Sequence, residues 1–289
     1  MRKQNLLHYF PSHNTIHQET TSLFNSLIPT PINNNNEIFY TKKAQTNLTS
    51  TNTFSNCLWE TTSSPAGGGA IYVNDTASLT LHNCLFLSCK SLTVPSDWDG
   101  GGALCSYTTG VITITHSSFI HCNTGGPRGG AIHIRYGADV SISEGLFVDC
   151  SCSAVGGGIL TEWRPSLSLS DSKFVGCNTQ KGGACSFHER KSTFSISNCL
   201  FSYNQATDAT RGGGAIEDYI HHSDKLCKNS FSFFHANTAA KGKDIAVHNS
   251  TYRSSPLVYC FSTAKENRFY NYGTHQNTWL PLTTISEDL

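Results

Sequence analysis

Residues 129–150, GGAIHIRYGADVSISEGLFVDC, contain every feature that decides the fold of this chain. A glycine pair and Ala131 precede a short apolar segment, which leads through the alternating residues 140–143 to Phe147 and Cys150. Alternation of branched apolar residues with serine has the period of two that is typical of a half-buried β-strand. The same order of features recurs along most of the chain, which therefore consists of internal repeats.

Each repeat carries two marks that alternate along the chain. The first, Gly-Gly-Ala or a close variant, recurs every 25 to 33 residues: Gly68-Gly69-Ala70, Gly101-Gly102-Ala103, Gly129-Gly130-Ala131, Gly157-Gly158-Ile159, Gly182-Gly183-Ala184, Gly213-Gly214-Ala215 and the degenerate Gly242-Lys243-Asp244. The second is Phe followed three residues later by Cys or Asn: Phe54/Cys57, Phe86/Cys89, Phe119/Cys122, Phe147/Cys150, Phe174/Cys177, Phe201/Asn204 and Phe234/Asn237. Units of this length that share two marks predict one small structural unit per repeat.

The repeats predict coils made of strands alone. Helical periodicity is absent between the strand segments, which excludes a parallel sheet with helical crossovers. A unit this short cannot bury its apolar side alone, but identical units stacked in register enclose a continuous core. We predict an all-β parallel β-helix of about seven coils over residues 46–250. The flanks 1–45 and 251–289 are predicted to be a polar N-terminal arm or cap and a C-terminal cap and tail that cover the open strand edges.

Stacking gives each mark a structural role. The glycine pair allows a tight corner, and the Phe rings stack inside the helix. The Cys or Asn three residues later forms a second interior column, where Asn side chains build amide ladders and thiols act as small apolar groups. We expect most of the 12 cysteines to be free thiols. Without a Cys-x-x-Cys pair or a zinc-finger histidine interval, no metal site and no cofactor are predicted, and His221-His222 is interpreted as a solvated loop pair.

Composition excludes several classes of function. The 20 basic and 20 acidic residues cancel, and charged residues make up only 14% of the chain. Because no basic surface would attract phosphates, nucleic acid is not an expected partner. No apolar run approaches the roughly 18 residues of a transmembrane segment, so none is predicted. Near the N-terminus, Pro11, His13 and Asn14 interrupt the apolar stretch that a secretory signal needs, and no such signal is predicted.

The paired Gly-Gly-Ala-Ile and Phe-x-x-Asn marks resemble the repeats of the chlamydial polymorphic outer membrane proteins. The resemblance covers about residues 46–250, although five of the seven Phe-x-x-Asn positions carry Cys here. It implies a right-handed parallel β-helix with a pectin-lyase-like fold. It also implies an adhesion role and an extracellular or cell-surface location.

Strand alternation after each glycine corner predicts two outward columns of side chains. The first column is predicted to be Tyr72, Cys105, His133, Thr161, Ser186 and Glu217, and the second Asn74, Tyr107, Arg135, Trp163, His188 and Tyr219. Aromatic and guanidinium groups stacked on an exposed face form a flat platform that can stack on sugar rings or anchor a protein partner. The predicted ligand-binding residues are therefore Tyr107, Arg135, Trp163, His188 and Tyr219. The alternative interpretation is that these side chains simply cover a solvated sheet.

Two functions follow from this fold. The first is a non-enzymatic surface or adhesion-type repeat protein that presents the outward strand face to a glycan or a surface protein. The alternative is a polysaccharide lyase or hydrolase of pectate-lyase-like shape, which needs two or three acids on one patch. The acids Asp97, Asp99, Asp139, Asp171, Glu189 and Asp218 fall at different offsets within their repeats, so no catalytic residue is predicted. The sequence leaves the oligomeric state open.

Overall fold

The computed structural model of the chain describes residues 40–42, 46–65, 67–92, 99–189, 194–209, 212–220, 228–230, 232–240, 243–249, 268–271 and 279–281. These residues contain no helix, and hence none of the length and apolarity that a membrane span requires. They form an all-β parallel β-solenoid of about six turns, close to the seven coils expected. The fold prediction is confirmed, and the solenoid is consistent with a right-handed parallel β-helix.

Three long sheets form the walls of the solenoid. Sheet A has eight strands: Tyr40–Lys42, Cys57–Glu60, Leu85–Leu87, Ser118–Ile120, Leu146–Val148, Lys173–Val175, Leu200–Ser202 and Phe233–His235. Sheet B has ten: Thr46–Leu48, Ile71–Asp75, Leu104–Thr108, Ile132–Arg135, Ile159–Glu162, Cys185–Glu189, Ile216–Ile220, Ile245–Asn249, Arg268–Asn271 and Trp279–Pro281. Sheet C has seven: Asn52–Ser55, Leu79–His82, Val111–Thr115, Asp139–Ser143, Ser166–Ser170, Phe194–Ser197 and Lys228–Ser230.

Two short ladders complete the described strands. One joins Ser63–Ser64, Lys90–Ser91 and Asn123–Thr124, and the other joins Asn178–Thr179 to Gln205–Ala206. Described strand pairs are parallel, except that Arg268–Asn271 pairs antiparallel with Trp279–Pro281. Each coil therefore passes through the sheets in the same order and lies on the coil before it.

A column of stacked aromatic rings fills the interior behind sheet A. Neighbouring ring centroids lie 4.4 to 5.0 Å apart, with interplanar angles of at most 9°. The column contains Trp59, Phe86, Phe119, Phe147, Phe174, Phe201 and Phe234. The predicted Phe column is confirmed from Phe86 onward.

The first coil differs from the prediction. Phe54 pairs with Leu81 in sheet C, whereas Trp59 pairs with Phe86 and takes the first place in the aromatic column. Thr62, three residues after Trp59, takes the place predicted for Cys57 and donates a hydrogen bond to Cys89 Sγ at 3.2 Å. The pair Trp59/Thr62 repeats the spacing of Phe/Cys with different residue types, which hid it from the sequence pattern.

Side chains of the Cys and Asn column form hydrogen bonds to backbone carbonyl oxygens of the preceding coil. Asn204 Nδ2 donates to the carbonyl oxygen of Phe174 at 3.1 Å, and Cys150 Sγ lies 3.3 Å from that of Phe119 as a thiol donor. Cys89, Cys122, Cys150 and Cys177 are fully buried. The ten described cysteines are free thiols, and Cys227 and Cys260 lie outside the described residues. Thiols therefore replace Asn as weak donors to the same backbone acceptors.

Glycine is required at the two corner positions for two different steric reasons. The first glycine of the pair has positive φ in five coils, for example +55° at Gly129. The second faces the next coil: a Cβ added to Gly130 would lie 2.0 Å from the carbonyl oxygen of Gly157. The alanine that follows is fully buried, as at Ala131. Glycine fits both positions, because the first adopts a left-handed backbone and the second has no room for a side chain.

The fourth corner is placed one residue earlier than predicted. Gly156 has the positive φ of +69°, and a Cβ on Gly157 would lie 2.2 Å from Gly183 O, so Gly156-Gly157 is the corner pair. Gly158 takes the alanine position. Ile159, not Leu160, pairs with Ile132 and points inward. Three consecutive glycines made both registers compatible with the sequence.

Parts of the predicted flanks lie outside the described residues. In the N-terminal arm, Tyr40–Lys42 is described and pairs with Cys57–Glu60. In the C-terminal region, Arg268–Asn271 extends sheet B beyond Ile245–Asn249. Trp279–Pro281 is the last described strand of that sheet, and the remaining parts of residues 1–45 and 251–289 stay a prediction.

Candidate functional site

The first outward column of sheet B is buried, contrary to the prediction of an exposed face. Its members are Tyr72, Cys105, His133, Leu160, Ser186 and Glu217, and Leu160 replaces the predicted Thr161. Apart from half-buried Tyr72, each is at most 1% exposed. The glycine corner of each coil covers this column: a Cβ on Gly129 would lie 3.1 Å from the Cβ of His133.

The second outward column has Glu162 where Trp163 was predicted. In order, it contains Asn74, Tyr107, Arg135, Glu162, His188 and Tyr219. Arg135 and Glu162 are each 5% exposed, whereas Tyr107 and His188 are half-buried. Trp163 lies just beyond the strand end and is 57% exposed. The side chain of Tyr219 lies outside what the structure describes, but its backbone pairs with His188 in sheet B.

Glu162 is the centre of a buried ion cluster made of Arg128, His133, Arg135 and Glu162. Its Oε1 accepts a hydrogen bond from Arg128 Nη1. Its Oε2 lies 3.0 Å from His133 Nε2 and 3.7 Å from Arg135 Nε. Arg135 also donates to the hydroxyl of Tyr107, whose own O–H donates to Asp99. The ion cluster therefore joins two adjacent coils, and Tyr107 links it to the coil before.

Burial decides the protonation of the groups in this cluster. Desolvation holds the pKa of His133 well below 6.5, and the charges of Arg128 and Arg135 act in the same direction. Neutral His133 can then donate a hydrogen bond from Nε2–H to Glu162, while its Nδ1 has no hydrogen-bond partner among the described residues. Burial lowers the pKa of Arg128 to about 10, so it remains a cation at neutral pH. Burial and the hydrogen bond to Asp99 raise the pKa of Tyr107, which remains neutral.

A second buried carboxylate lies farther along the same sheet. Glu217 Oε2 accepts a hydrogen bond from Ser186 Oγ at 2.9 Å and lies 3.3 Å from His188 Nε2. Glu217 is 1% exposed. Both glutamates are therefore held by neighbouring side chains beneath the surface, as expected of structural carboxylates.

Four aromatic residues form the aromatic patch, Tyr72, Tyr107, Tyr136 and Trp163. Successive ring centroids lie 5.8, 5.5 and 6.1 Å apart, with interplanar angles of 20°, 50° and 43°. The Arg135 guanidinium carbon lies 4.9 Å from the Tyr107 centroid, 5.3 Å from that of Tyr136 and 5.8 Å from that of Trp163. The rings are tilted against one another, so the predicted flat platform is wrong.

The two exposed rings of the patch stand on left-handed backbone. Tyr136 and Trp163, 43% and 57% exposed, both have φ of +67°, and Arg164 has φ of +76°. They begin equivalent turns in adjacent coils, since Arg135 pairs with Glu162. Left-handed backbone costs bulky residues roughly 1–2 kcal/mol each, but it recurs at 16 described non-glycine residues and is a general feature of the turns of this solenoid.

Three members of this site, Arg128, Tyr136 and Glu162, were not predicted from the sequence. Tyr136 follows the predicted strand and was outside the two outward columns. Glu162 was missed because of the one-residue register error at Gly156–Gly158. The sequence does contain a pattern that indicates Tyr136 and Glu162. In adjacent repeats an aromatic residue comes directly after the second outward position, as in Arg135-Tyr136 and Glu162-Trp163.

The acids considered in the sequence are not brought together on one patch by the described residues. Asp139 is exposed in sheet C, Asp171 is exposed next to sheet A, and Asp218 is buried in sheet B. Asp99 is bonded to Tyr107, the side chain of Glu189 is not described, and Asp97 lies outside the described residues. No cluster of three or more metal-ligating side chains is present among the described residues. Burial raises the pKa of the interior thiols Cys122, Cys150 and Cys177, which suits a packing role.

Comparison of the chain with protein-family models, curated proteins and solved structures found no match. The resemblance to the chlamydial repeats therefore stays a prediction.

The stability of the fold should depend on His133 below neutral pH. Because the pKa of His133 is lowered by folding, the unfolded chain binds a proton near pH 6.5 while the folded chain does not. Stability is therefore greatest above pH 6.5 and decreases as the pH falls. We expect this histidine to account for about 1.4 kcal/mol of the loss in unfolding free energy between pH 7.5 and 5.5.

The test is urea unfolding of the full chain and of His133→Leu at both pH values. Leucine suits this site because Leu160 has the equivalent position in the next coil. The variant should lose about 1.4 kcal/mol less than the unmodified chain between the two pH values. Equal losses in the two proteins would contradict a neutral, buried His133.

Proposed function

We propose that the chain is a non-enzymatic, adhesion-type binding module whose aromatic patch contacts the partner. The observation that carries this proposal is the pair Tyr136 and Trp163, two aromatic side chains in contact that are exposed at equivalent turns of adjacent coils. Exposed rings next to a guanidinium group are enriched in binding surfaces. The solenoid supplies a rigid support, so little conformational entropy is lost on binding.

The ion cluster supports the patch from beneath. Arg135 is bonded to Tyr107 and paired with Glu162, and its guanidinium also lies within cation–π distance of Tyr136 and Trp163. The buried polar groups are thereby used to orient aromatic side chains. Of the acids considered in the sequence, Asp99 is bonded to Tyr107, and Asp139 and Asp218 lie on different sheets, so none of these three favours the polysaccharide-processing alternative.

The test measures binding of the full chain to a panel of immobilised polysaccharides and purified extracellular-matrix proteins. Trp163→Ala should weaken binding at least tenfold while leaving the far-ultraviolet dichroism unchanged. Val111→Ala is the matched control, because Val111 is 50% exposed but lies in sheet C, and it should bind like the unmodified chain.

Two outcomes would overturn the proposal. One is a panel in which no ligand binds in a Trp163-dependent manner. The other is release of reducing ends or unsaturated products from a bound polysaccharide, which would indicate an enzyme.

A further inference from the structure

The exposed apolar surface of the described solenoid is concentrated at one small place. Among the described residues, the large apolar side chains that are well exposed are Leu92, Val111, Tyr136, Trp163 and Phe233. Only Tyr136 and Trp163 contact each other, with their centroids 6.1 Å apart. Val111 belongs to sheet C and Phe233 to sheet A. The aromatic pair is therefore an isolated binding element with no wider apolar surface around it.

The area of this element suits a small ligand better than a protein. A stable protein interface buries about 800 Å² on each partner, with a central apolar region. Two aromatic side chains supply about 150–250 Å² each, even when they are covered completely. Tyr107 and Tyr72 extend the patch but are half-buried. The patch therefore falls short of the apolar centre that a protein partner needs.

The two arginines of the ion cluster are paired within the protein. Arg128 and Arg135 both contact Glu162, and their side chains are 15% and 6% exposed. Arg164 is exposed beside Trp163, and it too has an interaction within the protein. No cation of the ion cluster is thus presented to an acidic ligand. The surface therefore offers a ligand mainly its ring faces, with Arg164 as the exposed cation beside them.

From this geometry we infer that the ligand is a neutral glycan, recognised by stacking of the C–H face of a pyranose ring on Trp163 and Tyr136. This inference rests on the proposed function. The two rings are inclined at 43° with their centroids 6.1 Å apart, which is close enough for a sugar on one ring to reach the other. An apolar C–H face matches an aromatic ring, while the sugar hydroxyls remain at the solvated rim.

The fixed positions of Tyr136 and Trp163 allow two rings to bind a sugar without a larger apolar surface. Both side chains contact the same guanidinium, and both stand on fixed turns of adjacent coils. Tyr and Trp have few rotatable bonds, so they lose little entropy when a ligand orders them. Tyr107, which packs 5.5 Å from Tyr136, continues the ring surface into the preceding coil, so an oligosaccharide should bind more tightly than a monosaccharide.

The test uses the full chain with neutral polysaccharides (galactan, xyloglucan and mannan), acidic ones (polygalacturonate and hyaluronan) and the same matrix proteins. Binding is measured at 50 mM and 500 mM sodium chloride. We expect at least one neutral polysaccharide to bind, with a dissociation constant that changes less than twofold between the two salt concentrations. Salt screens ion pairs but leaves stacking almost unaffected.

Variants at the patch separate stacking from simple apolar contact and from charge. Trp163→Phe should retain binding within about tenfold, whereas Trp163→Leu should weaken it more than tenfold because it keeps bulk but removes the ring. Tyr136→Ala should also weaken it more than tenfold. Arg164→Gln should change affinity less than twofold.

The outcomes distinguish this inference from the proposed function. Trp163-dependent binding to a matrix protein alone, or salt-sensitive binding to acidic polysaccharides that is lost in Arg164→Gln, would overturn the neutral-glycan inference and leave the binding module intact. Equal binding by Trp163→Leu and Trp163→Phe would also overturn stacking. If no ligand depends on Trp163, both fail.

Discussion

Gly130→Ala should destabilise the fold by more than about 4 kcal/mol, a loss that single substitutions rarely reach, or prevent folding altogether. The added Cβ would lie 2.0 Å from the carbonyl oxygen of Gly157 and 2.6 Å from backbone atoms of Ser151. Both obstacles are backbone atoms of the next coil, which cannot rotate away as a side chain can. Relief requires that the two coils separate, and separation breaks the hydrogen bonds that join them.

The control for this prediction is Gly137→Ala. Gly137 has φ of +77°, but a Cβ there would meet nothing closer than the carbonyl oxygen of Arg164, at 3.7 Å. Gly137→Ala should therefore reduce the free energy of unfolding only by the cost of placing alanine in a left-handed backbone, about 1–2 kcal/mol. The two unfolding free energies, measured by urea titration, separate steric exclusion at the corner from backbone strain. Similar losses in the two variants would show that the coils are not in close contact at Gly130.

The sequence predicted the fold because the same steric requirement recurs in every coil. A glycine pair at each corner and an aromatic ring inside sheet A are needed wherever one coil lies on another, so both appear as repeats. Where two solutions satisfy the requirement, the pattern failed. Trp59 fills the aromatic column as well as Phe does, and three consecutive glycines allow two registers at Gly156–Gly158.

The candidate site was only partly predictable for a related reason. Alternation gives the direction of a side chain relative to the strand, but exposure depends on what covers that side. At His133 and Glu217 the outward direction was correct and the side chains are nevertheless buried, the first beneath its own glycine corner. Tyr136 lies on a turn, outside the strand pattern, and its exposure follows from a backbone angle that a single sequence does not reveal.

The ion cluster depends on a contact between repeats and not on a motif. Arg128 and Glu162 are separated by 34 residues and meet because one coil lies on the next. The repeat marks do not include either residue, and the register error moved Glu162 out of the outward column. A correct register at one corner would have placed Glu162 beside Arg135 from the sequence alone.

Phe147→Ala should reduce the free energy of unfolding by about 3–5 kcal/mol. The ring is fully buried between Phe119, at a centroid distance of 4.9 Å, and Phe174, at 4.4 Å. Its removal leaves a cavity in the middle of the column, and the neighbouring rings cannot close it because each belongs to a coil fixed by its own backbone ladders. Both aromatic pairs are lost together with the buried apolar area.

Phe233→Ala provides the matched comparison, since Phe233 lies in the same sheet but is 37% exposed on its outer side. This variant should lose less than about 1 kcal/mol, because solvent already reaches the ring and no closed cavity forms. Urea unfolding of the two variants therefore measures the interior column against the outer face of one sheet. A Phe147→Ala loss as small as that of Phe233→Ala would mean that the ring column does not stabilise the fold. The stacking of coils would then have to depend on the glycine corners.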